Sequence, residues 1–566
     1  MRKDGGMTYL GKRETCFWAM ALLVTALLAS APLFPADTLV FGPDTPFHMG
    51  RIEGIREGLL AGQFPVRVNP VQLGGYGMPT GIFYPNIFLY LPAFLRLAGA
   101  SLLVSWKAFL VLVNLMTAFI GWWAFSVYTG SRRIGAVAAL FYTVFAFRLG
   151  FLYIVTAVAE ALAMAFLPAA LIAVWVTIRR DASYWPAAAF FSACVLLSHV
   201  LTSIFLIVAT VFIILVSFRR FRQKEVRWAA AKAAGFIFLM TIWFYAPFLY
   251  FYTHMDFLMK SVTQQEVWYQ TIFPWRDMDF YIGSSLLLLL AGLAIFLLFH
   301  RKRPGAREFW ILVVSSAFII WLISHPEPWH MMGAAVGFIQ TPFRLIEFPA
   351  IFLSVAAALG IGLEKWRSRW CVLLVALISL GANFLWLYGY AYSIPLHARQ
   401  RCAMLHITQG RADEYFSQTD PIYATTVDYM DRTAYESIMH GSSTAENKLE
   451  ERFRDRTIDP QDRIWQVDGE GNAVEIRYRE GETQWIRLPL FWYMGYAAQD
   501  AAAQTAIPVQ KDEQGQVSVW LPPASGSVRV WYAGLPWFHV TDLLSWFGLF
   551  GFFYVAYRSA KEQKHI

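Results

Sequence analysis

A chain of 566 residues with 57% hydrophobic and only 15% charged side chains is too apolar for a soluble domain, which carries about 25% charge. Its net charge of +8 does not indicate nucleic-acid binding. The basic residues stand in short clusters between apolar runs, the arrangement by which a membrane protein fixes its orientation. Cys16, Cys194, Cys371 and Cys402 have no paired spacing, which excludes a disulfide framework and a structural zinc site.

A basic start (Arg2, Lys3, Lys12, Arg13) precedes the first apolar run, Phe17 to Phe34, which reads as a retained helix and not as a cleaved signal. A span needs about 20 apolar residues. Twelve spans are predicted, over 16–34, 101–128, 134–150, 154–178, two within 184–217 that divide near His199, then 228–250, 281–300, 308–324, 344–363, 370–390 and 538–556. This threading puts Arg132-Arg133, Arg179-Arg180, Arg219 to Arg227, Arg301 to Arg307, Lys365 to Arg369 and Arg558 to Lys564 on one side, with both termini. Counting Ile82 to Gly99 as a span would break the alternation. That segment holds Pro85 and Pro92 and is predicted to be interfacial or re-entrant.

The expected fold class is therefore an α-helical polytopic membrane protein of about twelve helices, with a small extracytoplasmic β-sandwich before the last helix. Its parts are a membrane module over 1–390, an outer α+β domain over 391–537, and a last helix with a cytoplasmic tail over 538–566. Outer loops cover 35–100, 251–280 and 325–343. In the outer domain a charged helical stretch, Ala445 to Arg456, precedes alternating runs at Arg463–Val467, Ala473–Arg479, Gln484–Leu490, Val517–Leu521 and Val528–Tyr532. Period-two alternation between turn-forming pieces reads as antiparallel strands.

Chemistry concentrates on the outer side. Loop one carries Asp44, His48 and Arg51, then Tyr84 in Phe83-Tyr84-Pro85-Asn86. A carboxylate at Asp44 can serve as a general base on a hydroxyl or help to hold a divalent metal ion. It can equally cap the helix that begins at Pro46. Ionisable groups at membrane depth are costly and mark functional paths or structural pairs. Glu160 and Arg148 are of this kind. His199 is readable as a hydrogen-bonded packing residue or as a ligand. Arg344, in Gln340-Thr341-Pro342-Phe343-Arg344, suits a lipid phosphate, and an ion pair with Glu347 or simple snorkelling would explain it as well. Motifs for nucleotide-driven transport and for zinc proteolysis are absent.

The Asp-x-x-x-His start of loop one, Asn69-Pro70, Gly75-Tyr76-Gly77-x-Pro79 and Phe83-Tyr84-Pro85 resemble the bacterial YfhO-like membrane proteins. The branch most resembled is that of the 6-pyruvoyl-tetrahydropterin synthase-related membrane proteins. Ala159-Glu160-Ala161 with Leu167-Pro168, Leu197-Ser198-His199 and Gln340-x-Pro342-x-Arg344 extend the match over nearly the whole chain. These proteins are similar to glycosyltransferases of the GT-C fold. The resemblance implies a polyprenyl-phosphate-linked sugar donor, an extracytoplasmic acceptor (envelope polysaccharide, teichoic acid or glycoprotein) and a site at the outer face of the bacterial plasma membrane. Asp44 matches the acidic residue of the family's first outer loop, although no second acidic residue stands beside it and Val66 replaces an expected aromatic. Arg344 would meet the lipid phosphate, with His48, Arg51, Tyr84, Glu160, His199 and Gln340 lining the cavity. The soluble pterin synthase binds zinc through closely spaced histidines, a spacing not found here. Two other functions fit the same residues: a flippase for lipid-linked sugars, and a non-catalytic envelope assembly protein.

Overall fold

The computed structural model describes residues 10–34, 38–263, 281–299, 305–339, 341–363, 369–393, 405–408, 429–439, 464–470 and 473–563. Apolar runs become helices because a backbone in hydrocarbon must satisfy its own polar groups. In chain order the elements are α1 Lys12–Ala29, β1 Thr38–Phe41, α2 Thr45–Leu60, α3 Tyr90–Leu97, α4 Leu102–Thr129, α5 Arg132–Thr143 and α6 Ala146–Val155. There follow α7 Val158–Arg179, α8 Trp185–Leu196, α9 Val200–Val216, α10 Lys224–His254, α11 Ser284–Phe299, α12 Ala306–Ser324, α13 Glu347–Leu363 and α14 Arg369–Ser393.

Every predicted span coincides with a helix, but their lengths differ from the expectation. Among the described residues six helices are long and apolar enough to cross a membrane, at 102–129, 158–179, 224–254, 306–324, 342–361 and 536–559. α5 and α6, bent by 44°, make a seventh if taken together. The first, fifth, sixth and eighth predicted spans are helices of 18, 12, 17 and 16 residues. α1 begins with the charges of Lys12, Arg13 and Glu14, and His199 ends one apolar run by capping the next. The segment over 82–99 is broken around Pro85, while Pro92 sits in the first turn of α3, its longest helical piece. α3 lies on α2, with Arg96 forked onto Glu53 at 2.8 and 3.0 Å.

Among the described residues the basic clusters at 132–133 and 179–180, with Arg369, gather at one end of the bundle. Arg133 pairs with Glu14 at 2.6 Å, Arg180 donates to the carbonyl of Tyr128 at 2.9 Å, and the Arg369 guanidinium stands 5.2 Å from the Phe17 ring centroid. Arg179 also reaches Ser217, past the end of α9, at 3.3 Å. His199 instead lies beside Glu160 at the opposite end of α7. α8 and α9 therefore run up and back along α7 and turn where the sequence indicates. Pro168, inside α7, cannot donate to Met164, the carbonyl four residues before it. The buried Tyr142 hydroxyl donates to that carbonyl at 2.7 Å, so the proline leaves no orphaned acceptor.

The C-terminal strands form two packed sheets. β2 Leu405–Thr408 pairs with β1 in a separate antiparallel ribbon. β3 Ile464–Glu470, β4 Ala473–Tyr478, β6 Tyr496–Asp500, β7 Ala506–Ile507 and β10 Gly526–Tyr532 make one sheet in the order β3-β4-β10-β6-β7. β5 Gln484–Phe491, β8 Val509–Lys511 and β9 Gln516–Leu521 make the other, in the order β5-β9-β8. Val474, Ile476, Val528 and Val530 face Ile486, Leu488, Val517 and Val519 across the core. The predicted sandwich is present, with the pairing of β1 to β2 and the short strands β6 to β8 added. The stretch Ala445 to Arg456 lies outside the described residues.

Loop one is the plate on which this sandwich sits. Phe47, Tyr76 and Phe83 share one core with Phe251, Phe257 and the strands. The Phe491 N–H donates to the Tyr76 carbonyl at 2.9 Å, and the Tyr493 hydroxyl donates to that of Gly77 at 3.1 Å. The last helix, α15 Pro536–Gln563, returns alongside α10, where Ser545 donates to the Leu239 carbonyl at 2.7 Å. Asp542 of this helix pairs with the buried Arg67 of loop one at 2.6 Å. Removing one partner of a buried pair strands the other charge. We expect Asp542→Ala to lower stability by about 3 kcal/mol in thermal unfolding of the detergent-solubilised protein, and Arg67→Met with Asp542→Leu to restore much of it.

Candidate functional site

The unusual polar residues meet at the end of the bundle opposite the basic clusters, beneath loop one. Asp44 starts α2, but its carboxylate makes no capping hydrogen bond. The start of the helix is fixed otherwise: Thr45 Oγ1 accepts from the Gly42 N–H at 2.9 Å and lies 3.0 Å from Thr156 Oγ1. Asp44 is half-buried, and no hydrogen bond to its carboxylate is found among the described residues. Burial pushes its pKa up to about 6, and the positive charge of Arg344 holds it from rising further.

Arg344 precedes α13 by one turn of 3-10 helix, which Pro342 opens. Its Nη1 donates to Glu160 Oε2 at 2.5 Å and lies 3.4 Å from His199 Nε2, while Nε donates to Thr341 Oγ1 at 2.7 Å. The ion pair is thus with Glu160 and not with Glu347, the neighbour in sequence. Glu347 Oε1 accepts from the Thr202 hydroxyl at 2.8 Å, and that hydroxyl is 2.9 Å from His199 Nδ1. All of these bonds form at once when His199 carries its proton on Nδ1 and accepts from Arg344 on Nε2. His199 stands at the N-cap position of α9 and belongs to the cluster; its Nδ1 can accept the Thr202 N–H, 3.4 Å away, only in the other tautomer.

Glu160 and Glu347 are fully buried, and Glu160 Oε1 and Glu347 Oε2 have no hydrogen-bond partner. Donor atoms of Glu160, Glu347 and His199 lie within 4.8 Å of one another. Two buried carboxylates this close need a proton or a cation between them beyond the charge of Arg344. Two carboxylates and an imidazole suit a divalent ion, which would take up the orphaned carboxylate oxygens and, if Arg344 gave up its contact with His199 Nε2, that nitrogen as well; it would add positive charge for a phosphate.

The remaining residues frame this centre. The Tyr84 ring centroid is 6.2 Å from that of His199 and 6.1 Å from that of His48, and burial raises the Tyr84 hydroxyl to about 12. His48 stacks on Trp106 at 6.3 Å, and burial with the nearby charge of Arg51 keeps it neutral. Arg51 donates to the Pro85 carbonyl at 2.5 Å and lies 4.5 Å from the Tyr84 ring centroid, so its guanidinium clamps the Tyr84-Pro85 turn. Arg148 stands apart, bonded to Asn114 Oδ1 at 2.8 Å and to the Thr143 carbonyl. Gln340 lies outside the described residues. Sequence reading passed over Glu347 and Thr202 as site members. The signal available was Thr202 three residues after His199, the offset at which a cap and its partner meet.

An apolar cleft of about 240 Å³ is lined by Phe64, Phe88, Leu197, Trp243 and Trp546 among others, and by no residue of the cluster. A smaller gap between Arg51, Phe88, Ala159, Leu197 and Ser198 separates it from Glu160 and His199.

Fold and site together define a polytopic membrane protein with a polar centre at one end of its helical bundle, roofed by a β-sandwich. The chain belongs to the family described as 6-pyruvoyl-tetrahydropterin synthase related domain, membrane protein, whose match covers residues 82–388. That region includes Tyr84, Glu160, His199 and Arg344, and it leaves Asp44, His48 and Arg51 upstream. No curated protein matches the chain. Among solved structures it is similar to the arabinofuranosyltransferase AftD from Mycobacteria, at 17% identity and a TM-score of 0.43 over 67% of this chain. The chain spans 27% of the length of that protein. ArnT from Cupriavidus metallidurans, bound to undecaprenyl phosphate, is similar at 13% identity and a TM-score of 0.39, over 77% of this chain and 74% of its own. The oligosaccharyltransferase of Archaeoglobus fulgidus follows at 12% and 0.36, over 77% and 60%. Likeness of this degree assigns no activity.

The two carboxylates are expected to respond unequally to amide replacement. Glu347→Gln places an N–H₂ opposite Glu160 Oε1 and should leave the melting temperature unchanged or raised. Glu160→Gln weakens the bond to Arg344 and should cost about 3 kcal/mol, read by thermal unfolding in detergent.

Proposed function

We propose that this protein is a membrane glycosyltransferase that takes a sugar from a polyprenyl-phosphate donor and passes it to a cell-envelope acceptor on the outer side of the plasma membrane. The observation that carries this reading is the Asp44 carboxylate: it starts a helix without capping it, it is half-buried, and it lies within the electrostatic reach of Arg344. A lipid phosphate bears negative charge, and Arg344 is the cation beside the opening. The apolar cleft offers a lateral seat for the first isoprene units of such a lipid, with its phosphate turned toward His199 and Arg344.

In this mechanism Asp44 takes the proton of the acceptor hydroxyl as its oxygen attacks the anomeric carbon. The bond from that carbon to the phosphate oxygen breaks, and its electron pair leaves with the polyprenyl phosphate. Inversion follows from attack on the face opposite the leaving group. Tyr84 and neutral His48 orient the sugar without adding charge, and Glu160 holds Arg344 in place. A divalent ion held by Glu160, Glu347 and His199 would supply further charge for the phosphate. Displacement of water by a donor that fills the half-open centre would strengthen each contact. A flippase would also need a lipid-phosphate seat, but it gives an uncapped Asp44 no task.

Asp44→Asn is expected to reduce transfer from a radiolabelled polyprenyl-phosphate sugar by about 10²–10⁴-fold with expression and melting preserved. Retained transfer would exclude the base role. The base is competent only when deprotonated, so wild-type transfer should fall as the pH drops through about 6. In Arg344→Met the restraining charge is gone, and the same limb should move to higher pH.

A further inference from the structure

A second cleft, of about 510 Å³, lies where the outward face of the β-sandwich meets the C-terminal end of α2. Its size is in the range of small-ligand sites, roughly 300–1,000 Å³. On the sandwich side the lining comes from three adjacent strands. Arg529 of β10 is paired in register with Glu475 of β4 on one side and with Gln499 of β6 on the other. One row of side chains thus carries a carboxylate, a guanidinium and an amide, spaced by the strand separation of about 4.8 Å. The next residue outward on β10 is Trp531, whose register partner on β6 is Ala497, and Ala473 of β4 lines the cleft nearby. Alanine neighbours are too small to cover an indole, so its ring is left as a platform. Gly58, Ala61, Gly62 and Gln63 close the opposite wall.

Among the described residues neither the Trp531 nor the Arg529 side chain has a hydrogen bond, ion pair or ring contact, although both backbones pair in the ladder. Folding gains little from a large aromatic held half-exposed between alanines. Gln499 and Gln504 are bonded to each other at 2.5 Å, and Glu475 accepts from Ser527 at 2.8 Å. Each still offers a further donor or acceptor. A flat π face carries negative potential and attracts the C–H-rich face of a sugar ring. Carboxylate, guanidinium and amides at one ring's distance suit its rim of hydroxyls. A nonpolar ligand would strand the polar row, in which the Glu475 carboxylate is already balanced by Arg477 at 3.7 Å.

We infer that this cleft is a saccharide-binding site, with a sugar ring stacked on Trp531 and its hydroxyls held by Glu475, Gln499, Gln504 and Arg529. The inference rests on the transfer reading for its purpose, since the glycan bound there would be the acceptor. α2 links the cleft to Asp44: its 16 residues put the two about 24 Å apart along the helix axis. A glycan that reaches both must therefore be a chain of several sugars, and a short acceptor would engage only the Asp44 end.

The test uses the full-length protein in nanodiscs, titrated calorimetrically with defined hexasaccharides of glucose, mannose, galactose and N-acetylglucosamine. At least one is expected to bind. Trp531→Ala should weaken it about tenfold, while Trp531→Phe, which keeps a ring, should stay close to wild type. Binding by none of the four, or binding unchanged in Trp531→Ala, overturns the inference. In transfer assays Trp531→Ala should raise KM for long acceptors and leave kcat and short acceptors unaffected. Asp44→Asn should cut transfer by about 10²–10⁴-fold and leave hexasaccharide binding intact. Binding without any transfer therefore refutes the enzyme reading alone, and transfer without binding refutes the cleft alone.

Discussion

Taking a carboxylate out of water costs several kcal/mol unless a cation comes with it, and Glu160 is wholly buried near the start of α7. Its partner Arg344 is 184 residues away in sequence. That one contact ties α7 to the start of α13. Through His199 and Thr202 it also fixes the turn between α8 and α9 and the rotamer of Glu347. Helix packing in a bilayer lacks the hydrophobic drive available in water and leans on close fit and polar contacts. A buried ion pair with three hydrogen-bonded neighbours sets the rotation of four helices more sharply than apolar contacts can.

The same arrangement divides the centre into two zones. Glu160, Glu347 and His199 are sealed behind, while Asp44, Tyr84 and Arg344 keep partial exposure. Arg344 belongs to both zones, bonded inward to Glu160 and acting outward on the pKa of Asp44. A guanidinium presents several donors in a rigid fork, so it can serve both sides at once. A lysine in its place would have to choose.

Much of this was legible in the sequence. Apolar length and basic clusters located the helices, and the polar residues of one face were recognised before any contact was known. The strands with strict alternation were found, whereas β6, reading Tyr-Ala-Ala-Gln-Asp, was missed because alanines hide its period. The division near His199 fell where it was expected, whereas the span over 281–300 was read longer than its helix, Ser284–Phe299. Partner choice was not legible. Arg344 and Glu347 stand three apart, the spacing of helical ion pairs, yet a 3-10 turn lies between them and aims the guanidinium at Glu160 instead. Nor could sequence show that Asp44 is relieved of capping, since that depends on Thr45 meeting Thr156 across 111 residues.

The contact of Arg67 with Asp542 joins residues 475 positions apart, and this has a consequence for biosynthesis. Loop one emerges early, with aromatic surface that only the sandwich can cover, and it must wait for almost the whole chain to be made. Long-range closure of this kind is slow, and the exposed intermediate is prone to misassembly. It also acts as a quality check: a ribosome product that stops short of α15 has its loop-one arginine unpaired and its sandwich tethered at one end only. Such fragments would be the natural substrates of membrane proteases, and the cell would keep chiefly those copies whose final helix has been inserted.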